Sequence, residues 1–226
     1  MINYDVIILT TAVTRPDLHS VVFPQWLPTL NGLNCKWIIN IDKINDKSID
    51  ETSEHIMKSI IYDNIDLEII STNLIGGTRE AWFNSCQRVI NLGYEYKPKF
   101  GYFWLEDDWI PTKNFLVKDI LKDIDESDWY ISLHNRNDIS FNPCIFSYGL
   151  FTRIMYNKIN DTSKTYPKNP ERNCCYAGTN PSGERKHISK FIKLNVTKDV
   201  GRDWQDKYNN KLRTFNPKTN EQSINT

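Results

Sequence analysis

Several features that would point to a particular class of protein are missing from this sequence. The 28 Lys and Arg residues are balanced by 28 Asp and Glu residues, so no net charge would attract the chain to nucleic acid or to an anionic membrane. No apolar run approaches the roughly 20 residues that a membrane-spanning helix needs, and the N-terminus lacks the pattern of a signal peptide. We therefore expect a soluble, cytoplasmic protein with no transmembrane segment and no nucleic-acid partner.

The sequence also lacks the short motifs that identify several enzyme classes. Its five cysteines form no C-x-x-C pair and show no Cys/His spacing suited to zinc, which favours a reducing compartment. No G-x-x-x-x-G-K-[ST] motif is present, and no G-x-G-x-x-G follows a strand, so a P-loop enzyme is disfavoured. The hydrophobic content of 39% is nevertheless enough for a packed core. We expect one folded domain over residues 1–226.

Strand-length apolar segments alternate with helical patterns in the first half of the chain. We predict four strands, at 6–9, 36–41, 67–71 and 100–105. Each is followed by a helical pattern, beginning near Pro16, Ile49, Thr78 and Lys113. Four strand-then-helix units favour an α/β fold with a twisted, mostly parallel central sheet, in which ligands bind at the carboxyl ends of the strands.

The second half of the chain is less regular. It predicts strands at 129–133 and 144–147, a helix over 150–159, and then a long span that is rich in loops. We divide the domain into a nucleotide-binding half (1–112), an acceptor half (113–214) and a polar tail without regular structure (215–226).

Three consecutive acids, Glu106, Asp107 and Asp108, follow the fourth predicted strand and are called the acidic triplet below. Carboxylates packed together at a strand end repel one another unless a cation is present. Hard oxygen ligands select Mg²⁺ or Mn²⁺, and an ion held by one or two carboxylates keeps positions open for phosphate oxygens. The alternative is a solvated turn in which one acid caps the following helix.

The segment around the acidic triplet resembles the D-x-D region of GT-A glycosyltransferases. An apolar strand, the triplet and then Trp109, Ile110 and Pro111 follow that pattern, with an acid other than Asp at the first position. The resemblance implies a GT-A fold with a Rossmann-like nucleotide-binding half, and Mn²⁺ or Mg²⁺ bridging the two phosphates of the donor. It makes Asp108 the first metal ligand, with Glu106 as a further ligand and Asp107 beside the donor.

The resemblance extends to other strand ends. Thr10, Thr11 and Arg15 are similar to the opening loop that wraps the nucleoside, where a basic side chain reaches the pyrophosphate. Asp42 follows the second strand, where such enzymes bind the base or ribose, and Arg79 stands at a helix start that favours phosphate. Each also has an ordinary interpretation as a strand-end, turn or solvated helix residue.

Two segments of the second half, 141–151 and 199–204, resemble the acceptor half of small GT-A enzymes, in particular those encoded by large DNA viruses of the chlorella-virus kind. The likeness follows the order of the whole domain, but only the acidic triplet is specific. If the protein is viral, its place is the host cytoplasm.

An inverting transfer needs a general base beside the acceptor hydroxyl, which must lose a proton. Glu171 is our first candidate, with Asp138 and Asp199 behind it, although each is also typical of a surface acid. The family resemblance implies that a late histidine can complete the metal site, and His187 is the candidate for that role.

These observations predict a metal-dependent, inverting glycosyltransferase that moves a sugar from a nucleotide-sugar, expected to be a UDP-sugar, to a glycan or glycoprotein acceptor. A nucleotidyltransferase that makes nucleotide-sugars is the first alternative, but it would carry a Gly-rich loop after the first strand, and 10–15 contains no glycine. A non-catalytic carbohydrate-binding module is the second, although such modules are more often all-β.

Overall fold

The computed structural model describes residues 3–44, 47–76, 78–124, 127–135, 139–162, 170, 174, 188–201, 203, 214–216 and 221–223. Its strands are β1 (Val6–Val13), β2 (Cys35–Lys43), β3 (Ile65–Ile75), β4 (Gly101–Trp104), β5 (Trp109–Pro111), β6 (Trp129–Ser132), β7 (Cys144–Ser147), β8 (Lys190–Lys193), β9 (Thr197–Asp199), β10 (Thr214–Asn216) and β11 (Glu221–Ser223). Its α-helices are α1 (Pro16–Trp26), α2 (Ile49–Ser59), α3 (Arg79–Tyr94), α4 (Val117–Leu121), α5 (Tyr148–Phe151) and α6 (Asn157–Ile159). A 3₁₀-helix follows α1 (Leu27–Leu30), and a π-helix joins α5 to α6 (Thr152–Tyr156).

A seven-stranded sheet with the strand order β3-β2-β1-β4-β7-β6-β8 forms the centre of the molecule. The first four strands are parallel to one another, and β6 and β8 are parallel as well. Only β7 runs the other way, antiparallel to both β4 and β6. The predicted α/β class and the mostly parallel sheet are confirmed, whereas the reversed strand was not foreseen.

The central strands are buried on both faces, which explains why their sequences are continuously apolar. Along β1, Val6 and Ile8 join a core on one face of the sheet, while Ile7 and Leu9 join a core on the other. This alternation follows from the two-residue period of a strand. Both faces therefore need a covering layer of helices.

Helices α1 and α2 cover one face of the sheet, and α3 with the α5 region covers the other. The N-termini of α2 and α3 are capped, since Ser48 accepts from the Glu51 N–H and Thr78 accepts from the Ala81 N–H. The helix start predicted near Thr78 is confirmed, with Thr78 as the N-cap residue. In the part of the chain that the structure describes, no helix is long and apolar enough to cross a membrane.

Four local predictions are wrong. Strand β1 continues to Val13, so the polar loop expected from residue 10 onwards is largely strand. The apolar positions of the second helical pattern were expected to include Ile61, but α2 ends at Ser59 and Ile61 is exposed. The helix expected from about Lys113 is the short α4, which buries Val117 and Leu121, and the antiparallel strand pair β10–β11 lies in the tail.

Candidate active site

The carboxyl ends of β1, β2 and β4 meet at one edge of the sheet. These strands are parallel neighbours, with β1 in the middle, and Val13 stands in register with Asp42. The acidic triplet follows β4 directly, and the Val13 N–H donates to Asp107 Oδ2 over 3.1 Å. The structure thus brings the triplet, the end of β1 and Asp42 to the edge where ligands bind in such sheets.

Asp107 is buried and held by three donors. Besides Val13, Arg15 Nη2 donates to its Oδ1 over 2.7 Å, and His19 Nε2 lies 2.8 Å from its Oδ2. Burial raises the pKa of this carboxyl, but the Arg15 charge and the bonds from His19 and Val13 outweigh burial and lower the pKa to about 2. Asp107 is therefore ionised, and both of its oxygens are engaged by protein groups.

Asp108 faces the segment that follows β9. The Val200 N–H donates to its carbonyl, and a Cβ on Gly201 would stand 2.3 Å from its Oδ2, so only glycine allows the carboxylate this position. Burial, opposed by the Arg15 charge and supported by the Asp107 and Asp199 charges, raises the pKa of Asp108 to about 6. Asp108 is therefore harder to ionise than an ordinary aspartate, chiefly because it is buried.

Glu106 is half-buried and lies on the β7 side of the triplet. Burial chiefly, and the Glu106 charge in addition, raise the pKa of the Cys144 thiol. The members of the triplet thus have different neighbours: Cys144 for Glu106, the α1 side for Asp107 and Gly201 for Asp108. Within the described residues, no group of three or more His, Cys, Asp or Glu side chains is placed to hold a metal ion.

Arg15, expected to reach a pyrophosphate, is only 5% exposed. Its Nη2 bridges the acids, at 2.7 Å from Asp107 Oδ1 and 3.3 Å from Asp108 Oδ2. Burial would lower the pKa of its guanidinium, but the two carboxylates raise it further, so Arg15 remains charged. The guanidinium charge of Arg15 therefore faces Asp107 and Asp108 in this structure, and its predicted contact with a pyrophosphate stays a prediction.

Thr10 and Thr11 are part of β1 and are buried. The Thr10 hydroxyl accepts a hydrogen bond of 2.9 Å from the Trp37 indole N–H, which satisfies a buried donor of the neighbouring strand. Thr10 therefore has a structural partner, and the proposed contact of both threonines with a donor stays a prediction.

Asp42 belongs to a buried polar cluster that the sequence did not reveal. Arg88 donates from Nη2 to Asp42 Oδ1 over 3.2 Å and from Nε to Asn40 Oδ1 over 3.0 Å. The Asn40 amide donates to Asp42 and to the Ser85 hydroxyl. Helix α3 thereby fixes the orientation of Asp42 at the end of β2.

We expect Arg88→Met to destabilise the fold by about 1–3 kcal/mol, because Asp42 would keep a buried charge with one donor fewer. Urea unfolding measures this change. The control is Lys58→Met, which removes an exposed pair with Glu54 and should cost less than about 1 kcal/mol. Equal small losses in both variants would contradict a stabilising role for the buried cluster.

The start of α3 lies against the end of β2. The Gly76 N–H donates to the Lys43 carbonyl over 2.6 Å, and a Cβ on Gly76 would stand 2.8 Å from the Asp42 Cβ. Arg79, the first residue of α3, is half-buried at this end of the helix. Its position is compatible with the predicted contact to phosphate, which stays a prediction.

The other predicted functional residues, Glu171, Asp138 and His187, lie outside the described residues. Two residues that the structure places at the site, His19 and Arg88, were missed. For His19 a signal existed, since it lies in the first turn of α1, four residues after Arg15, which is the N-cap residue of that helix. That signal has a meaning only once His19 is known to contact Asp107, which lies far away in the sequence.

No protein-family model matches the sequence, and no curated protein matches it. The fold is similar to the mannosyltransferase PcManGT from Pyrobaculum calidifontis, a structure in complex with GDP-Man and Mn²⁺, with a TM-score of 0.57 at 8% identity over 91% of this chain and 61% of that chain. A weaker likeness, with a TM-score of 0.43 and 8% identity, is to the glycosyltransferase GlyE of Streptococcus pneumoniae, over 92% of this chain and 48% of that chain.

The likeness to PcManGT establishes the fold: the chain has the GT-A type of α/β architecture, with a mostly parallel sheet between layers of helices. The chain spans about three fifths of the length of that mannosyltransferase, since it covers 61% of it. At this identity the comparison concerns architecture alone, and the function has to be argued from the site.

Proposed function

We propose that this protein is a metal-dependent glycosyltransferase that transfers a sugar from a nucleoside-diphosphate sugar to a hydroxyl group of a glycan or glycoprotein. The observation that carries the proposal is the position of Asp108. It stands at the edge of the sheet where the carboxyl ends of β1, β2 and β4 meet, and the charges of Asp107 and Asp199 act on it together with that of Arg15.

The residues around Asp108 fit a divalent cation. Asp108 and Asp199 would supply carboxylate oxygens, the ligands that Mg²⁺ and Mn²⁺ prefer. Glu106 and His187 remain candidates to complete the set. When bound, such an ion supplies positive charge against the charge that develops on the departing diphosphate.

The chain's own residues supply the remaining parts of the proposed reaction. Asp42, fixed by Arg88 and Asn40, would bind the base or ribose of the donor, and Arg79 at the start of α3 would face its phosphates. Glu171 or Asp138 would take the proton of the acceptor hydroxyl, with inversion at the anomeric carbon. The likeness to viral enzymes and the choice of a UDP-sugar stay predictions.

Thermal unfolding with nucleotides tests the proposal. In Mn²⁺, a nucleoside diphosphate at 100 times its Kd would add about 2.7 kcal/mol of stability, which for a chain of this size raises Tm by about 5–11 °C. UDP and GDP should be compared, because the sequence favours UDP whereas PcManGT is in complex with GDP-Man.

The matching monophosphates and an EDTA sample serve as controls, since the proposed site recognises a diphosphate with a cation. The nucleotide-sugars that bind are then assayed for hydrolysis and transfer. An unchanged Tm with every diphosphate, together with no turnover, would overturn the proposal and favour a non-catalytic module. Incorporation of a nucleoside triphosphate into a nucleotide-sugar would favour the nucleotidyltransferase instead.

A further inference from the structure

His19 lies beneath the acidic triplet and has no role in the function proposed above. It is completely buried in α1, and its ring stacks on Phe23 with 5.2 Å between the ring centroids. Its Nε2 lies 2.8 Å from Asp107 Oδ2, while its Nδ1 is buried with no hydrogen-bond partner among the described residues. A buried imidazole with an unsatisfied nitrogen is costly, and a plain apolar side chain would pack there without that cost.

The hydrogen bond of His19 has one direction. An ionised carboxylate can only accept, so the proton that joins His19 to Asp107 resides on Nε2. This bond and the Val13 N–H both engage Oδ2, which leaves Oδ1 directed at Arg15. The orientation of Asp107 is thus determined by His19 in α1, by Arg15 at the N-cap of that helix and by Val13 at the end of β1.

Arg15 transmits this orientation to Asp108. The same Nη2 that binds Asp107 Oδ1 lies 3.3 Å from Asp108 Oδ2, the oxygen that occupies the space left by Gly201. A rotation of the Asp107 carboxylate would withdraw its oxygen from Arg15 and free the guanidinium to shift. Asp108 would then lose its contact with Arg15.

We propose that His19 is a positioning residue, which by donating to Asp107 holds Arg15 and, through Arg15, sets the Asp108 carboxylate for the cation and diphosphate of the donor. The inference rests on the function proposed above and assigns to His19 an effect on ligand binding that packing alone does not produce. It also assigns Asp107 to the support of the site rather than to contact with the ligand.

The test compares His19→Gln with His19→Met. The Gln side chain carries a donor at about the position of Nε2, whereas Met has similar length and no donor. Loss of a residue that supports a metal ligand typically weakens metal affinity about 10–100-fold, so we expect His19→Met to weaken Mn²⁺ binding, measured by calorimetry with and without UDP or GDP, by about 10-fold or more. His19→Gln should remain within about 3-fold of the wild type.

Phe23→Leu is the matched control, because Phe23 is a buried neighbour of His19 on the same helix and is packed against its ring. It should lower Tm without changing Mn²⁺ affinity. Equal affinity in His19→Met and the wild type would overturn the inference and leave the proposed function standing, whereas no binding by the wild type would remove both. If His19→Met does not fold, His19→Gln decides: near-normal affinity supports the inference, and a 10-fold loss at unchanged Tm overturns it.

Discussion

Asp108→Asn is expected to abolish Mn²⁺-dependent binding of the nucleoside diphosphate and to lower turnover by at least about 100-fold. The asparagine keeps the shape of the side chain but removes the charge that would hold the cation. A bound metal ion supplies several kcal/mol of charge stabilisation in such transfers, and each 1.36 kcal/mol corresponds to about tenfold in rate. Calorimetry with Mn²⁺ and UDP or GDP, followed by a transfer assay, measures the two effects.

Although Asp108→Asn should lose binding and turnover, it should not lose thermal stability. Asp108 carries its charge next to those of Asp107 and Asp199, so its neutralisation should leave Tm unchanged or raise it. Asp119→Asn, an exposed acid of α4, is the control and should retain both binding and turnover. Normal nucleotide binding by Asp108→Asn would show that the metal assignment is wrong.

Gly101→Ala is expected to have the largest effect on folding. Gly101 opens β4 and pairs with Ser147 of β7, and a Cβ there would stand 2.1 Å from the Phe146 carbonyl oxygen. Because the obstacle is backbone in the centre of the sheet, β4 and β7 would have to separate. We expect a loss on the order of 3 kcal/mol, equivalent to a fall in Tm of about 6–12 °C.

Gly93→Ala is the matched control for this prediction. Gly93 lies inside α3, and a Cβ there would meet the Leu9 Cδ2 at 2.6 Å, which is the movable end of a side chain. Alanine also favours a helix over glycine by about 1 kcal/mol. The two effects oppose each other, so Tm should change little, and a comparable loss in both variants would argue against the backbone obstacle at Gly101.

The parts of the fold that could be predicted depend on neighbours in sequence. The continuous apolar run that opens β1 indicates a strand buried on both faces, and Thr78 before the apolar face of α3 indicates a helix start. Both hold in the structure. The predictions of the helix ends and of the length of β1 were less accurate, because these bounds depend on hydrogen bonds to strands and loops elsewhere in the chain.

The direction of β7 and its place between β4 and β6 could not be read from the sequence. An apolar segment of strand length, such as Cys144–Ser147, is compatible with parallel or antiparallel pairing, since both bury the same side chains. The choice depends on how the chain connects the strand to its neighbours in space, which the local sequence does not contain. The contact between β4 and β7 therefore became known only from the structure.

By itself, the sequence determined that three acids follow an apolar strand and that this strand belongs to a mostly parallel sheet, because strand burial and residue order are local properties. Only the tertiary structure decided which groups each acid of the triplet contacts. Asp107 is held by Arg15 and His19, while Asp108 meets Gly201, which follows β9. Adjacent side chains on a turn point in different directions, and the groups that meet them come from positions far away in the chain.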